Sequence, residues 1–425
     1  MISSSTVEPT AVHTPCPKPG RCRRLGWIDR KCRDLLFTRL STMHNGCVAV
    51  TDHDGTHLLG EGNNGDLMAN ITVLSPSLYR RVLVSGSLGA ADSFVEGEWT
   101  TPDLVAVLRF FARNIDHLAE SEQGLASLGK LATSLLAKFR RNTRRGSKKN
   151  IAEHYDLGNA FFELFLDSSM MYSSAIFDSP TTTLEDASRT KLNRVGDSLE
   201  LQPNDHVLEI GTGWGGFATH AASRYGCQVT TTTISDEQFQ YASRRVVNAK
   251  LDDSVTVIKQ DYRDLTGQFD KLVSIEMLEA VGHEFLDTFF GQCNRLCKHG
   301  GRVFVQTIVM PEQRSRSYRK SIDFIQKYVF PGGFLPSLTA IQESVGRATD
   351  LRLLSVNDHS SSYARTLREW RSRFMNRIDD VRQLGFSEDF IRTWNYYFSY
   401  CEAAFLERAI GILQLEWVKG GEEQS

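Results

Sequence analysis

Ten residues near the middle of the chain, 207–216, constrain its fold most strongly. They form an apolar run with one acid, then four glycines in six positions, and a helix-compatible run follows from Phe217. This pattern predicts a buried strand that breaks into a tight turn and enters a helix. Gly211 and Gly213 can adopt positive φ and let a ligand lie against bare main chain. A nucleotide-sized cofactor is the first hypothesis, although purely structural strand-to-helix turns also use G-x-G.

The neighbouring residues narrow the choice of cofactor. A dinucleotide site requires an acidic residue closing the second strand, but the predicted second strand, 228–234, ends in hydroxyls before the polar run 235–238. No Lys-Ser/Thr pair follows the glycines, which argues against a triphosphate. The acid that precedes them, Glu209, suits a ligand carrying positive charge. S-adenosylmethionine, with its sulfonium and ammonium groups, fits best.

Composition sets broad limits. The chain has 425 residues, of which 41% are hydrophobic, and a formal net charge of −2. That length predicts two or three domains with full cores, and the near-neutral charge argues against a nucleic-acid binder. No apolar run approaches the roughly 18 residues that span a bilayer, and no signal peptide is visible. The eight cysteines form no C-x-x-C pair, and no zinc spacing occurs. We therefore expect a cytoplasmic protein without a metal site.

The amino-terminal quarter has its own organisation. Residues 1–20 are rich in proline and predict a disordered tail. Residues 21–125 predict a compact α+β unit, with strand-like alternation over 45–85 and a helix over 103–113. The basic amphipathic stretch 21–40 fits either an ordinary first helix or one that rests on an anionic membrane surface.

A basic linker is predicted over 126–150. Its cluster of Lys and Arg side chains fits either a solvated connection or an attraction to anionic head groups. From 151 to 425 strands and helices alternate, which predicts a doubly wound, mostly parallel sheet. A helical insertion at about 310–350, broken by a Pro-Gly-Gly turn, is expected to form a lid. The predicted strands are 207–210, 228–234, 255–259, 270–275 and 302–307.

Several clusters have residues suited to chemistry. The aromatic and hydroxyl-rich segment 154–177 fits a lid over an apolar ligand, or a well-packed amphipathic helix. Asp261 and Tyr262 follow the third strand, where they would meet an adenine. Glu276 and Glu279 are three residues apart with apolar flanks, so one helical face could direct both carboxylates at the cofactor.

The ordered motifs of the chain resemble those of cyclopropane-fatty-acyl-phospholipid synthases. The resemblance covers roughly residues 30–420. It implies a class I methyltransferase-like domain that holds S-adenosylmethionine, and an amino-terminal domain that binds membrane phospholipid with unsaturated acyl chains. It also implies a homodimer at the cytoplasmic membrane surface. The motifs are GSLGAADSFVEGEWTTPDL, NTRRGSKKNI, HYDLGNAFF, YSSAIF, VLEIGTGWGG, TTISDEQ, SIEMLEAVGH, KYVFPGGFLPS, YARTLREW and FSYCEAAF.

The implied reaction explains an aromatic site. Methyl transfer to an unactivated double bond needs tight alignment and exclusion of water, and it leaves a carbocation on the acyl chain. An aromatic face stabilises a desolvated cation by about 0.5–2 kcal/mol. A base must then remove a proton. The aromatic candidates are Tyr172, Phe177, Tyr328, Phe330 and Tyr363.

The resemblance also assigns site residues. Family members use a bound bicarbonate as the base, and Glu279 and Tyr363 match the carboxylate and tyrosine that hold it. Cys401 matches a cysteine discussed as catalytic, although a lone cysteine on an apolar helix is usually inert core. Ser174 and Gln306 stand where the family usually has cysteine and histidine. The predicted cofactor contacts are Tyr172, Ser173, Glu209, Gly211, Gly213, Thr233, Gln238, Asp261 and Tyr262.

The predicted product is therefore a cyclopropane fatty acid formed on membrane phospholipid. Because Ser174 and Gln306 depart from the usual pattern, three alternatives stay open. The first is a related lipid C-methylation that gives a methyl-, methylene- or hydroxymethyl-branched chain. The others are methylation of a non-lipid acceptor and a non-catalytic lipid-binding protein.

Overall fold

The computed structural model describes residues 23–62, 67–117 and 157–420. The predicted tail 1–20, the basic linker 126–150 and the start of the aromatic segment, 154–156, lie outside these residues. The described part forms two sheets, one of four strands and one of seven. Within it, no helix is both long and apolar enough to cross a membrane.

The four-stranded sheet forms the centre of the amino-terminal unit. Its strand order is β2-β1-β3-β4, with β1 and β3 parallel and the other pairs antiparallel. Buried Val48, Ala69 and Phe110 lie in its core. The elements are α1 (Trp27–Leu40), β1 (Cys47–Asp52), β2 (Gly55–Leu59), β3 (Met68–Val73), α2 (Ser77–Val95), β4 (Trp99–Thr100) and α3 (Leu104–Arg113).

Local sequence explains most of these boundaries. Asp103 caps α3 by accepting a hydrogen bond from the Ala106 amide at 3.0 Å, which satisfies a free donor at the start of the helix. The predicted alternation over 45–85 is wrong beyond residue 76, because α2 begins at Ser77. Gly86 lies inside α2 with φ 56° and ψ −133°, so the segment is two helical runs joined at a kink. Only glycine adopts such angles readily.

The seven-stranded sheet confirms the predicted doubly wound α/β class. Its order is β10-β11-β9-β8-β5-β6-β7, and the pairs from β9 to β7 are all parallel, whereas β11 runs antiparallel to both neighbours. The carboxyl ends of β5, β6 and β8 therefore meet at one edge, where ligands bind in such folds. The strands are β5 (His206–Ile210), β6 (Gln228–Thr233), β7 (Val255–Lys259), β8 (Phe269–Ile275), β9 (Cys297–Val309), β10 (Leu351–Asp358) and β11 (Gly411–Lys419).

Helices cover both faces of this sheet. Val207 belongs to the core on the face covered by α5 and α6, whereas Leu208 and Ile210 belong to the core on the face covered by α8. The continuous apolar run of β5 is what a strand buried on both faces requires. The helices are α4 (Asn159–Phe162), α5 (Leu184–Ser198), α6 (Gly216–Tyr225), α7 (Asp236–Asn248), α8 (Leu286–Leu296), α9 (Glu312–Tyr318), α10 (Phe324–Tyr328), α11 (Leu338–Ala348), α12 (Ser360–Asn376), α13 (Ile378–Gln383) and α14 (Glu388–Leu406).

Ion pairs join the amino-terminal unit to the larger one. Asp92 of α2 accepts hydrogen bonds from Lys327 at 2.8 Å and from the Tyr328 hydroxyl at 2.6 Å, both on α10. At a second contact, the Glu407 carboxylate accepts hydrogen bonds from Arg109 and Arg113 of α3 at 2.5 and 2.8 Å. The region predicted as a lid is thus held partly by the amino-terminal unit.

Candidate active site

A large pocket opens at the carboxyl ends of β5, β6 and β8. All nine predicted cofactor residues line it, and so do three of the predicted catalytic residues, Glu279, Tyr363 and Cys401. The segment between α10 and α11 covers it through Phe330 and Phe334. The fold therefore brings residues that are distant in sequence to one cavity.

The glycine turn forms the floor of the cofactor end. Gly211 has φ 104° and Gly213 has φ 52°, and a Cβ added at Gly213 would meet open space. Since L side chains rarely adopt these angles, the turn needs glycine for its conformation. The bare main chain at Gly213 lets a ligand approach the backbone closely.

A buried acid and a buried base lie beside the turn. Glu209 accepts a hydrogen bond from the Thr231 hydroxyl at 2.6 Å, and burial raises the pKa of Glu209 to about 8. Lys191 is fully buried and donates to the Ser173 hydroxyl at 2.6 Å, and burial lowers the pKa of Lys191 to about 8. Because Lys191 donates to Ser173, the Ser173 hydroxyl can donate its own proton into the pocket. Glu209 and Ser173 together fit the amino acid moiety of a ligand. Glu209 would face its ammonium group and Ser173 its carboxylate.

The other side of this cavity suits a nucleoside. Asp261 caps the short 3₁₀ helix Tyr262–Asp264 and pairs with Arg263 at 2.6 Å. The Tyr262 ring packs edge-on against Phe289 with centroids 5.5 Å apart, which presents an apolar wall. Thr233 donates to the Gln238 amide oxygen at 2.8 Å, which orients that amide at the start of α7. These residues fit S-adenosylmethionine, which would supply an electrophilic methyl group on a sulfonium.

The other end of the pocket is built around Glu276. Its Oε1 accepts hydrogen bonds from the Ser174 amide at 2.7 Å and from Gln306 Nε2 at 2.8 Å, and its Oε2 accepts from the Tyr363 hydroxyl at 2.7 Å. Burial raises the pKa of Glu276, while these three donors and the nearby Lys191 oppose that rise. A carboxylate with three donors retains its charge far better than a bare buried one.

The expected shared helical face of Glu276 and Glu279 is wrong. Glu276 follows β8 with φ 49°, a left-handed conformation that costs a non-glycine residue energy. Glu279 lies in the separate 3₁₀ helix Leu278–Ala280. This backbone turn directs Glu276 at Tyr363, so Tyr363 pairs with Glu276 and not with the matched carboxylate, Glu279.

Glu279 has different surroundings. Its Oε1 accepts from the Thr307 hydroxyl at 3.0 Å and from the Ile308 amide at 2.5 Å, and its Oε2 has no hydrogen-bond partner among the described residues. Burial and the charge of Glu276 raise the pKa of Glu279 to about 8. Glu279 is therefore mainly neutral at pH 7.

Three further predicted residues take unexpected positions. The Ser174 hydroxyl donates to the Ala175 carbonyl at 2.9 Å, so Ser174 offers its backbone amide to an anion and not its side chain. Gln306, on β9, is buried and contacts the pocket through Glu276. Cys401 lines the pocket on α14, and burial raises the pKa of its thiol well above the usual range. A protonated thiol is a poor nucleophile.

The structure supports three of the five predicted aromatic residues. Tyr172, Phe330 and Tyr363 line the pocket. Tyr328 does not, since its hydroxyl is bonded to Asp92, and the Phe177 ring lies instead 4.0 Å from the Arg365 guanidinium. Sequence reasoning missed other aromatic lining residues, for which composition gave no signal. They are Tyr318, Phe334, Tyr397 and Phe405.

A bicarbonate base does not fit the same donors. The Ser174 amide, the Gln306 amide and the Tyr363 hydroxyl all point at the Glu276 carboxylate, which already takes the place of an anion between them. A second anion there would lie against a negative charge in a buried site. Sequence reasoning did not include Glu276 among the catalytic candidates, although its apolar flanks were a usable signal.

Among residues 23–62, 67–117 and 157–420, no group of three or more metal-ligating side chains occurs.

Comparisons with known proteins agree with this geometry. The model of the mycolic acid cyclopropane synthetase family matches residues 142–415. A tuberculostearic acid methyltransferase of Mycobacterium tuberculosis is 39% identical over 81% of this chain and 82% of its own. The cyclopropane-fatty-acyl-phospholipid synthase of Escherichia coli is 34% identical over 84% of this chain and 90% of its own.

A solved structure of the same family is similar to this chain. A mycolic acid cyclopropane synthase crystallised with SAH and CTAB superposes with a TM-score of 0.61 at 29% identity, over 64% of this chain and 98% of that one. The fold and the pocket are thus those of a class I S-adenosylmethionine-dependent methyltransferase. Within that class, the chain belongs to the mycolic acid cyclopropane synthetase family of lipid methyl and cyclopropane transferases.

Proposed function

We propose that this enzyme transfers a methyl group from S-adenosylmethionine to the double bond of an unsaturated acyl chain in a membrane phospholipid, with Glu276 as the base, and leaves a one-carbon branch. The observation that carries the proposal is the Glu276 carboxylate, held by three donors at one end of the pocket whose other end fits the cofactor.

The electrons and atoms of this reaction balance as follows. The π electrons of the double bond form a bond to the methyl carbon as its bond to sulfur breaks, and the neighbouring acyl carbon becomes a cation. A hydride shift moves the charge to the methylated carbon. Loss of a proton from the methyl group to Glu276 then gives a methylene branch. The chain gains one CH2, and the released proton leaves Glu276 for solvent.

Glu276 fits the role of base better than Glu279. A base must be ionised before the reaction, and the three donors favour the charged form of Glu276. Glu279 has a pKa raised to about 8 and is mainly protonated at pH 7. Two neighbouring carboxyl groups with separated pKa values commonly divide the base and acid roles.

Aromatic rings support the cationic stage. Tyr172, Phe330 and Tyr397 line the pocket together, with the Tyr172 ring centroid 6.2 Å from that of Phe330. Their faces stabilise positive charge without offering a nucleophile that would capture it. The Tyr172 hydroxyl is engaged with that of Tyr397 at 3.1 Å.

Ring closure is the second candidate outcome. The same cation gives a cyclopropane if the methyl group loses its proton while bonding to the cationic carbon, without a hydride shift. The 34% identity to the Escherichia coli synthase favours this outcome, and the 39% identity to the tuberculostearic acid methyltransferase favours the branch. Both outcomes use the same donor, acceptor and base.

We also propose that the amino-terminal unit binds an anionic membrane surface from the cytoplasmic side, as a homodimer. The Trp27 side chain is 70% exposed at the start of α1, beside exposed Ile28 and the basic Arg30 and Lys31. An exposed tryptophan flanked by cations is suited to the boundary between head groups and acyl chains.

The product can be tested directly. The enzyme is incubated with S-adenosylmethionine carrying a labelled methyl group and with vesicles of cis-monounsaturated phosphatidylglycerol, and the acyl chains are analysed by mass spectrometry. We expect labelled chains heavier by one CH2 that take up hydrogen on mild catalytic hydrogenation, as a methylene branch does. Labelled chains that resist hydrogenation would favour the ring. Unlabelled chains with cofactor binding intact would refute the proposed activity.

A further inference from the structure

Gln306 contacts Glu276 with only one end of its carboxamide. Its Nε2 donates to Glu276 at 2.8 Å and lies 3.4 Å from the Ser174 carbonyl oxygen. Its Oε1 accepts a hydrogen bond from Gln414 Nε2 at 2.8 Å. Rotating this amide by half a turn would place an oxygen against the Glu276 carboxylate. The partner of Oε1 therefore decides whether Gln306 stabilises or repels the charge of Glu276.

Gln414 is suited to be that partner. It lies on β11 directly opposite Gln306 of β9 in the antiparallel register, and its side chain is buried. Such opposed side chains are close enough to interact across two strands. Its Nε2 faces Gln306, which leaves its own Oε1 for a donor on the other side.

His359 lies on that other side. Its ring hydrogen-bonds the Gln414 side chain, and its backbone amide bonds the Ile412 carbonyl of β11 at 3.1 Å, which fixes the residue at the start of α12. Burial lowers the pKa of His359, and Arg194 lowers it further, while Gln414 and the nearby Asp358 and Asp178 raise it.

The hydrogen bonds from Gln414 through Gln306 to Glu276 therefore run in one direction. We propose that Gln414, fixed by His359, is a positioning residue that holds the Gln306 amide with its N–H groups toward Glu276. This inference rests on the proposed function, in which Glu276 is the base. It assigns a role to two residues that do not line the pocket.

The consequence is a change in the pKa of the base. Glu276 is faced by Tyr363, Gln306 and the Ser174 amide as donors and by Lys191 as a cation. Glu279 is a competing carboxyl, and the Tyr397 hydroxyl is a further titratable group nearby. Loss of a fixed hydrogen-bond donor destabilises the charged form of Glu276 and therefore raises its pKa. Since the base must be unprotonated, the acidic limb of the pH–rate profile moves to higher pH. One charge-assisted hydrogen bond corresponds to a shift of about one pH unit.

The first test compares Gln414→Leu with the wild-type enzyme in methyl transfer to the vesicles described above. We expect the acidic limb to rise by about one pH unit, so that kcat on that limb falls by up to roughly tenfold at a given pH. The KM for S-adenosylmethionine and the unfolding temperature should change little. His359→Phe should shift the limb in the same direction by a smaller amount. Ser355→Ala, which removes a different hydrogen bond to β11, is the matched control and should not shift it.

A double mutant separates positioning from a structural effect. If Gln414 acts through Gln306, then Gln414→Leu should change nothing further in a Gln306→Leu background, because no amide remains to be oriented. An equal loss in both backgrounds, or an unshifted limb in Gln414→Leu, would overturn the inference. If Glu276→Gln itself retains activity, the proposed function fails, which is a different result.

Discussion

The two ends of the pocket are built in different ways. The cofactor end is built around one contiguous segment, Glu209 to Gly213, and residues of the other strand ends complete it. The end that we propose for the acyl chain depends on Glu276 and on donors from β9, α12 and the segment before α5. The first can be recognised from sequence order, whereas the second exists only after folding. Mutations at the two ends should therefore affect different steps.

The largest effect is expected at the acyl end. Glu276→Gln keeps the shape of the side chain but removes the base, so kcat should fall by about 10²–10⁴-fold. The dissociation constant for S-adenosylmethionine, measured by calorimetry, should stay within about twofold of the wild-type value, because the cofactor contacts are elsewhere. A parallel loss of cofactor affinity would mean that the two ends are not separable.

The cofactor end should show the opposite pattern. Glu209→Gln removes the carboxylate that faces the ligand ammonium, and we expect S-adenosylmethionine to bind about 10–100-fold more weakly. The pKa of Glu209 is about 8 without ligand, and binding favours its ionised form. Wild-type affinity should therefore rise with pH between 6 and 8, whereas the variant should lose this dependence. Calorimetry across that pH range measures the affinity of the wild type and of the variant. If the variant keeps the pH dependence of the wild type, a group other than Glu209 causes it.

Glu279 offers a test through stability. Its folded pKa is raised to about 8 from 4.5, so the folded state binds more protons between these values. The stabilisation is full below about pH 4.5 and is lost as pH rises through 8, with a slope of at most about 1.4 kcal/mol per pH unit. Chemical denaturation of Glu279→Gln should show a flatter dependence over this window than the wild type. Identical slopes would show that Glu279 titrates normally.

The smallest effect is expected at Cys401. Its thiol lies in the pocket but stays protonated, because burial raises its pKa. Cys401→Ala should therefore keep turnover within about threefold, the change reflecting lost packing only. A loss above 100-fold with unchanged cofactor binding would restore a chemical role for the thiol and blur the contrast between the two ends.

Sequence patterns predicted the sheet well because its strands are defined locally. The predicted β5 and β6 match the observed strands within one residue at each end, since a buried apolar run ended by glycine or by a helix cap leaves little choice. The alternation over 45–85 misled beyond Pro76, where a helix with a glycine kink replaced a strand. Over so short a window, its polar and apolar residues fit both the two-residue period of a strand and the 3.6-residue period of a helix.

The amino-acid sequence by itself determined the doubly wound fold and the glycine turn, because each depends on neighbours in the chain. Only the tertiary structure distinguished the two carboxylates, and this difference supports Glu276 as the proposed base. Glu276 follows β8 with a positive φ, and Ser174, Gln306 and Tyr363 reach its carboxylate from three distant segments. A pKa depends on burial and on donors in space, and neither can be read from residue spacing.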